Sequence, residues 1–466
     1  MPLTYDVRIY AIETRKDRRK AFRLHWFVGE RKYSKSYALR AQADGRRSEL
    51  MSAVRRGEQF DTETGLPASE VRALRGAITW YEHTRFYIER KWPAAPAKSR
   101  KNYADALATI TPALVTTTVG RPEPKVLRRA LYGWAYNLLR WEQEPPGEVA
   151  EALRWIATHS LPVSALEDAR NVRLALDALA LKLDGTPAAP KTAQRKRACL
   201  SEVLGLAVEE QYFSSAINPL RTVKWSAPKS VEEVDPGSVA NPRQVRELLR
   251  GVREQGARGA HLEAFFGCLY FAAMRPAEAT ALRADQCHLP ERGWGTLTLR
   301  QGTVRAGRAW TNDGRAHETR QLKARAEKDS RPVPIPPHFV ALLRRHLTTY
   351  GTAPDGRLFR TNRNGPLQET GYGEVWAAAR AAVLSEAEAA SMLARRPYDL
   401  RHAGVSFWLS SGVDPAECAR RAGHSIAVLL RVYAKVVSHT RERANTQIES
   451  ALGEWFGSGE HLGKTD

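Results

Sequence analysis

The stretch from Arg396 to Lys435, RPYDLRHAGVSFWLSSGVDPAECARRAGHSIAVLLRVYAK, constrains this chain more than any other. Its apolar residues are spaced for short helices. Val405, Trp408 and Leu409 share one helical face, and Gly412 suits a helix C-terminus, where a left-handed residue is often needed. Asp414-Pro415-Ala416-Glu417 reads as a new helix start, with an N-cap aspartate, proline at the first position and glutamate at the third. Gly423 ends that short helix. Ser425 can cap the next, which runs through Val428, Leu429 and Val432 to Tyr433. Arg401, His424 and Tyr433 therefore fall at helix ends and turns. Polar groups placed there can converge on a ligand while the apolar residues fill a core.

At these residues the chain resembles the C-terminal half of the tyrosine recombinase (phage integrase) catalytic domain. That family carries His-x-x-Arg, then Gly-His, then a nucleophilic tyrosine. Here Tyr398-Asp-Leu-Arg401 stands in the first place, His424 follows 23 positions after Arg401, and Tyr433 follows nine after His424. One departure is that Tyr398 replaces the first histidine. A phenol can hydrogen-bond a phosphate oxygen, but with an unperturbed pKa of about 10 it is a poor base at neutral pH. The wording around Tyr398 and in Leu429–Lys435 resembles integrases of high-GC, actinobacterial type.

The whole chain has 466 residues, enough for about three domains. Lys and Arg total 72 against 51 acids, a net charge of +21. That excess points to a polyanionic partner, nucleic acid first and an anionic membrane surface second. Solubility is the plainer reading, but the basic residues cluster with aromatic ones. Cys199, Cys268, Cys287 and Cys418 are widely spaced with no CxxC, so neither a disulfide framework nor a zinc site is indicated, as suits a reducing cytosol. The N-terminal MPLTYDVRIY has no signal-peptide core, and no apolar run is long enough to span a membrane.

Residues 1–68 read as strands followed by a helix. Tyr5, Val7, Ile9 and Ala11 alternate with Asp6, Arg8, Tyr10 and Ile12. Phe22, Leu24, Trp26 and Val28 repeat the alternation after a basic turn that includes Arg18, Arg19 and Lys20. A third strand is expected over Lys32–Leu39 and a helix over Ala41–Arg56. A small sheet with a basic rim can lie in a DNA major groove, or it can simply carry a solvated turn. Residues 69–228 read as helical. The helix Lys191–Gln211 has the apolar stripe Leu200, Val203, Leu204 and Ala207, with Arg195, Lys196 and Arg197 near its start, where they either meet phosphates or stay solvated. Residues 229–242 are acidic and rich in turn formers, an interdomain linker. Residues 243–456 form the last domain and 457–466 a tail.

Within 243–456, His261–Arg283 reads as an apolar helix broken at Arg275-Pro276, with Glu278 three residues after Arg275. This matches the family's first box, an arginine followed at +3 by an acid. A buried arginine is costly unless paired or bound to an anion, so Arg275 either braces Glu278, meets a phosphate, or does both. Thr296–Arg300 and Arg331–Pro336 read as two strands of a sheet. The family places a catalytic lysine in such a hairpin, and Lys323 fills that role here, with Lys328 as the alternative. The terminal amphipathic segment with Ile448, Leu452, Trp455 and Phe456 packs either onto its own chain or onto a neighbouring protomer.

The fold class implied is mainly α with small β-sheets (α+β). It comprises an N-terminal β-sheet arm-binding domain, a helical core-binding (SAM-like) domain and a mixed α/β catalytic domain. The resemblance implies a site-specific recombinase that cuts and rejoins double-stranded DNA at attachment sites through a 3′-phosphotyrosyl link, to integrate or excise a mobile element. Arg275 and Arg401 would fork the scissile phosphate, Tyr433 attack it, Lys323 protonate the leaving 5′-oxygen, and His424 and Tyr398 hydrogen-bond phosphate oxygens. No metal and no cofactor are called for. The expected partners are DNA, three further copies in a homotetramer on DNA, and an excision factor, with no membrane and a cytoplasmic, nucleoid-associated location. A catalytically silent DNA-binding protein on the same fold, and a nicking-resealing enzyme like the type IB topoisomerases, are the alternatives.

Overall fold

The computed structural model describes residues 3–15, 19–71, 78–226, 233–322, 329–438 and 441–456, apart from the side chains of 434–444 and 453–456. The chain divides into two compact units, Met1–Lys229 and Ser230–Asp466. It is mainly helical, with small antiparallel sheets in each unit.

In the first unit the strand Phe22–Val28 is flanked by Val7–Ile9, Glu13–Thr14 and Arg31–Tyr37, all antiparallel to it. Its alternation sorts the side chains. Leu24, Trp26 and Val28 are buried with Leu50 and Ala53 of the helix Arg40–Arg55 and with Phe60. The expected first strand is shorter than its alternating pattern. A second short strand, Glu13–Thr14, follows it. The rest of the unit is helical. Trp80–Lys91 opens on a Thr79/Glu82 capping box. The helices Ala97–Ile110, Gly147–His159, Ala169–Ala180 and Pro190–Glu209 bury Leu107, Ile156, Leu176 and Val203.

In the second unit one core includes Phe265, Phe266, Leu269, Phe339, Phe359, Trp376, Val405, Leu409 and Leu429. The helix Gly256–Phe271 is apolar nearly all round, which fits its place inside that core. Gly295–Leu299 pairs antiparallel with Arg331–Ile335 and with Cys287–His288. A second hairpin, Gln301–Arg305 with His317–Gln321, was not anticipated from the sequence. Three helices then carry the stretch that opened the sequence reading: Asp399–Ser410, Pro415–Ala422 and Ile426–Ser438.

Two glycines set how close these elements come. A Cβ on Gly404 would sit 2.1 Å from the carbonyl oxygen of Tyr270, so only glycine lets Asp399–Ser410 lie against Gly256–Phe271. Gly423 has φ +66°, and a Cβ there would meet Arg331 Nη1 at 2.2 Å. It therefore ends its helix in the left-handed region and leaves room for a guanidinium at the same time.

Candidate functional site

Four structural elements of the second unit bring the sequence-predicted residues together. Arg275 is the N-cap of the short helix Pro276–Ala281. The preceding bend includes Ala273 at φ +45°, a conformation that costs a non-glycine residue about 1–2 kcal/mol. Arg275 Nη1 donates to Glu278 Oε1 at 2.8 Å, and Nη2 donates to the Gly423 carbonyl at 3.0 Å. The Glu278 carboxylate is 4 % exposed and also receives Arg331, at 2.7 and 3.2 Å. Burial pushes this carboxyl up, but Arg331 and Arg275 together outweigh it and hold the pKa down at about 2. Arg275 therefore both braces Glu278 and keeps a partly exposed guanidinium.

The sequence places Arg331 in a strand and assigns it no role in the site. In the structure it is 2 % exposed and completes the Arg275–Glu278–Arg331 triad. The signal was present in the sequence. Arg331, Val333 and Ile335 occupy the inward positions of an alternating strand, and an arginine among them must find a carboxylate or an anion.

Arg401 lies in the first turn of Asp399–Ser410 and is fully buried. Its guanidinium donates to the carbonyls of Ala273 and Ala422 and to His424 Nε2, the last at 2.6 Å. No carboxylate pairs with it among the described residues. Burial, and then the charge of Arg275, lower its pKa. Two cations thus press on each other, and among the described residues the buried one has no carboxylate bonded to it. A buried charge without an opposite partner costs several kcal/mol, which an incoming anion would offset.

His424 follows left-handed Gly423 and turns Nε2 to Arg401, while its buried Nδ1 has no partner among the described residues. Burial, then Arg401 and Arg275, push its pKa down to about 3, so it is neutral at pH 7 and its Nδ1–H is free to donate. Tyr433 was expected to end its helix. The backbone leaves the helix there, with φ −112° and ψ 21°, and a second helical stretch follows the kink to Ser438. The phenol is 1 % exposed, and burial raises its pKa. Tyr433 Oη and His402 Nδ1 lie 2.9 Å apart, at hydrogen-bond distance. Tyr398, just before the helix, packs edge-on against His402 with ring centroids 5.1 Å apart. His402 is the second residue that sequence reasoning left without a role. Its position one helical turn after Tyr398 places both rings on one face.

Arg275, Glu278, Tyr398, Arg401, His424 and Tyr433 therefore form one cluster built from a single chain. Lys323 and Lys328 lie outside the described residues, as do Arg18, part of the expected linker and the expected tail 457–466. The remaining basic residues belong to the first unit. Arg19 and Lys20 are exposed. Arg195 donates to Asn102 at 2.8 Å and stays half exposed. Arg197 stacks over Trp225 at 4.7 Å. Lys196 corrects its expected surface role. Its ammonium bonds Thr109 at 2.8 Å, lies 3.4 Å from Asp105 and is buried, because it sits on the same face as the stripe Leu200, Val203 and Ala207. Burial lowers its pKa.

Among the described residues no three His, Cys, Asp or Glu side chains group as a metal site, and no helix is long and apolar enough to cross a membrane. No protein-family model and no curated protein matches this chain. Solved structures that are similar include the Tn1549 transposon integrase in complex with transposon right end DNA, at 17 % identity over 70 % of this chain and 99 % of that one, with a TM-score of 0.47. Another is the XerH site-specific recombinase bound to palindromic difH substrate, at 14 % identity over 78 % and 97 %, TM-score 0.43. A third is a lambda integrase tetramer bound to a Holliday junction, at 12 % identity over 89 % and 95 %, TM-score 0.44.

Proposed function

We propose that this protein is a site-specific DNA recombinase of the tyrosine type, which cuts and rejoins double-stranded DNA through a 3′-phosphotyrosyl intermediate to integrate or excise a mobile element. One observation carries the reading. A buried phenol, Tyr433, shares a site with two guanidiniums, Arg275 and Arg401, and no carboxylate among the described residues bonds the buried one.

A phosphodiester fits that site. Arg275 and Arg401 bond its two non-bridging oxygens and hold the extra negative charge of the transition state. Tyr433 attacks phosphorus, the bond to the 5′-oxygen breaks, and a 5′-hydroxyl leaves. Lys323, with Lys328 as the alternative, protonates that oxygen. His424 donates Nδ1–H to a phosphate oxygen, as Tyr398 does with its hydroxyl. A 5′-hydroxyl from the partner strand then attacks the phosphotyrosine. The covalent link conserves the bond energy, so rejoining needs no nucleotide. Tyr433 and the arginines stand together in one chain, which supports cleavage in cis. Exchange of all four strands of two duplexes calls for a homotetramer on DNA. The net charge of +21 suits the DNA partner, and an excision factor would set direction.

A silent DNA-binding protein is the second reading, favoured by Tyr398 in the histidine position and by the burial of Tyr433. The test is to incubate wild-type protein and Tyr433→Phe with a random-sequence duplex pool in EDTA, then partition in detergent. Protease-sensitive DNA adducts from wild type alone are expected. DNA that is bound but never attached in either sample would establish the silent binder.

A further inference from the structure

We propose that His402 is the general base of this site, taking the phenolic proton of Tyr433 onto Nδ1 as the tyrosine attacks phosphorus. The inference rests on the recombinase reading above and names the group that reading leaves open. A buried phenol is a poor nucleophile until its proton has somewhere to go, and burial makes ionisation of Tyr433 harder still.

Among the described residues, three candidates surround the hydroxyl. His424 is excluded by its bonding. Its Nε2 lone pair is already held by Arg401 at 2.6 Å, and its ring meets Tyr433 only at a centroid distance of 6.4 Å. Tyr398 is another phenol, which cannot drain a proton from a phenol. His402 alone has a ring nitrogen 2.9 Å from Tyr433 Oη, inside the reach a proton transfer requires. A neutral His402 carrying its proton on Nε2 presents the Nδ1 lone pair to that hydroxyl.

The surroundings keep His402 neutral before DNA binds. The charged and titratable groups facing it among the described residues are Arg396, Tyr398, Asp399 and Arg401 from its own segment, and His424 and Tyr433 from the elements packed against it. Burial, only partly countered by Asp399, pushes its pKa down to about 4, with Arg401 and Arg396 adding to the shift. A bound phosphate offsets the arginine charges and raises that value, while bonding to phosphorus acidifies the phenol. The proton therefore moves as the Oη–P bond forms and the P–O5′ bond breaks. In the rejoining step the imidazolium returns it to the departing Tyr433 oxygen, so the base is regenerated.

The test uses the full chain and duplexes recovered from the pool as wild-type adducts. His402→Gln keeps a hydrogen-bond acceptor but cannot hold the proton. It is expected to bind the duplex as wild type does and to form adduct about 100-fold to 10,000-fold more slowly. Between about pH 6 and pH 9 its rate should climb with hydroxide, whereas the wild-type rate levels off. Added imidazole should restore adduct formation in His402→Ala. A 5′-bridging phosphorothiolate, whose sulfur leaves without a proton, should not rescue either variant. A wild-type rate and pH profile in His402→Gln overturns the inference while leaving the recombinase reading intact. So does a slow but pH-parallel variant that imidazole leaves unchanged, which would make His402 a packing residue. Absence of any wild-type adduct would overturn the recombinase reading first.

Discussion

At the scale of single residues, the site is held by arginines that do different work. Arg331 and Arg275 share one buried carboxylate, so removing either leaves Glu278 with the other. Arg275→Ala is therefore expected to fold, and to lower the rate of adduct formation by about 100-fold to 1,000-fold, the usual loss for one transition-state donor. Initial rates on a trapped duplex check this. Removing Glu278 is different, because it strands two guanidiniums. Glu278→Gln should destabilise the protein by about 3–5 kcal/mol at pH 7, measured by urea unfolding. The pH dependence follows from the sign of the shift. The carboxyl is held at about 2 when folded, against an ordinary glutamate value of 4.5, so its stabilisation is complete above pH 4.5 and disappears as pH falls through 2. The wild-type protein should lose stability over that window, and Glu278→Gln should lose less.

At the scale of elements, the helix-to-helix geometry depends on two glycines whose neighbours are backbone or guanidinium. Gly423→Ala forces a left-handed alanine, costing about 1–2 kcal/mol, and pushes Arg331 off Glu278 as well. Its melting temperature should fall further than that backbone term alone predicts, with adduct formation lost in parallel. The helices around Arg401 were legible in the sequence because caps are local. The Asp414 cap and proline at 415 act within the first turn of their helix, and Gly423 acts within its last. The break at Tyr433 falls at the expected helix end, but the helical stretch that follows it to Ser438 was not legible in the apolar period of Val428, Leu429 and Val432. The strand pattern shows that Arg331 needs a carboxylate or an anion, but which partner Arg331 and His402 each take was hidden for a related reason. Each depends on a partner supplied by another element, 53 and 31 positions away, and spacing within one element carries no record of it.

At the scale of the whole molecule, the basic excess was legible as composition but its placement was not. Lys196 is buried beside a partly exposed Asp105, whereas Arg19 and Lys20 face solvent. Salt titrations of DNA binding should separate them. Arg19→Ala and Lys20→Ala are each expected to reduce the slope of log affinity against log salt by about 0.9. Lys196→Ala should leave that slope unchanged and lower stability instead. A slope that drops only for Lys196→Ala would reverse the assignment. The central claim is that Tyr433 itself carries the DNA, and peptide mapping tests it most directly. Wild-type adduct would be trimmed with nuclease, digested with protease and analysed by mass spectrometry. The account predicts a nucleotide joined through its 3′-phosphate to the peptide containing Tyr433, and to no other. A nucleotide on a different residue, or DNA cut with no protein attached, would contradict it.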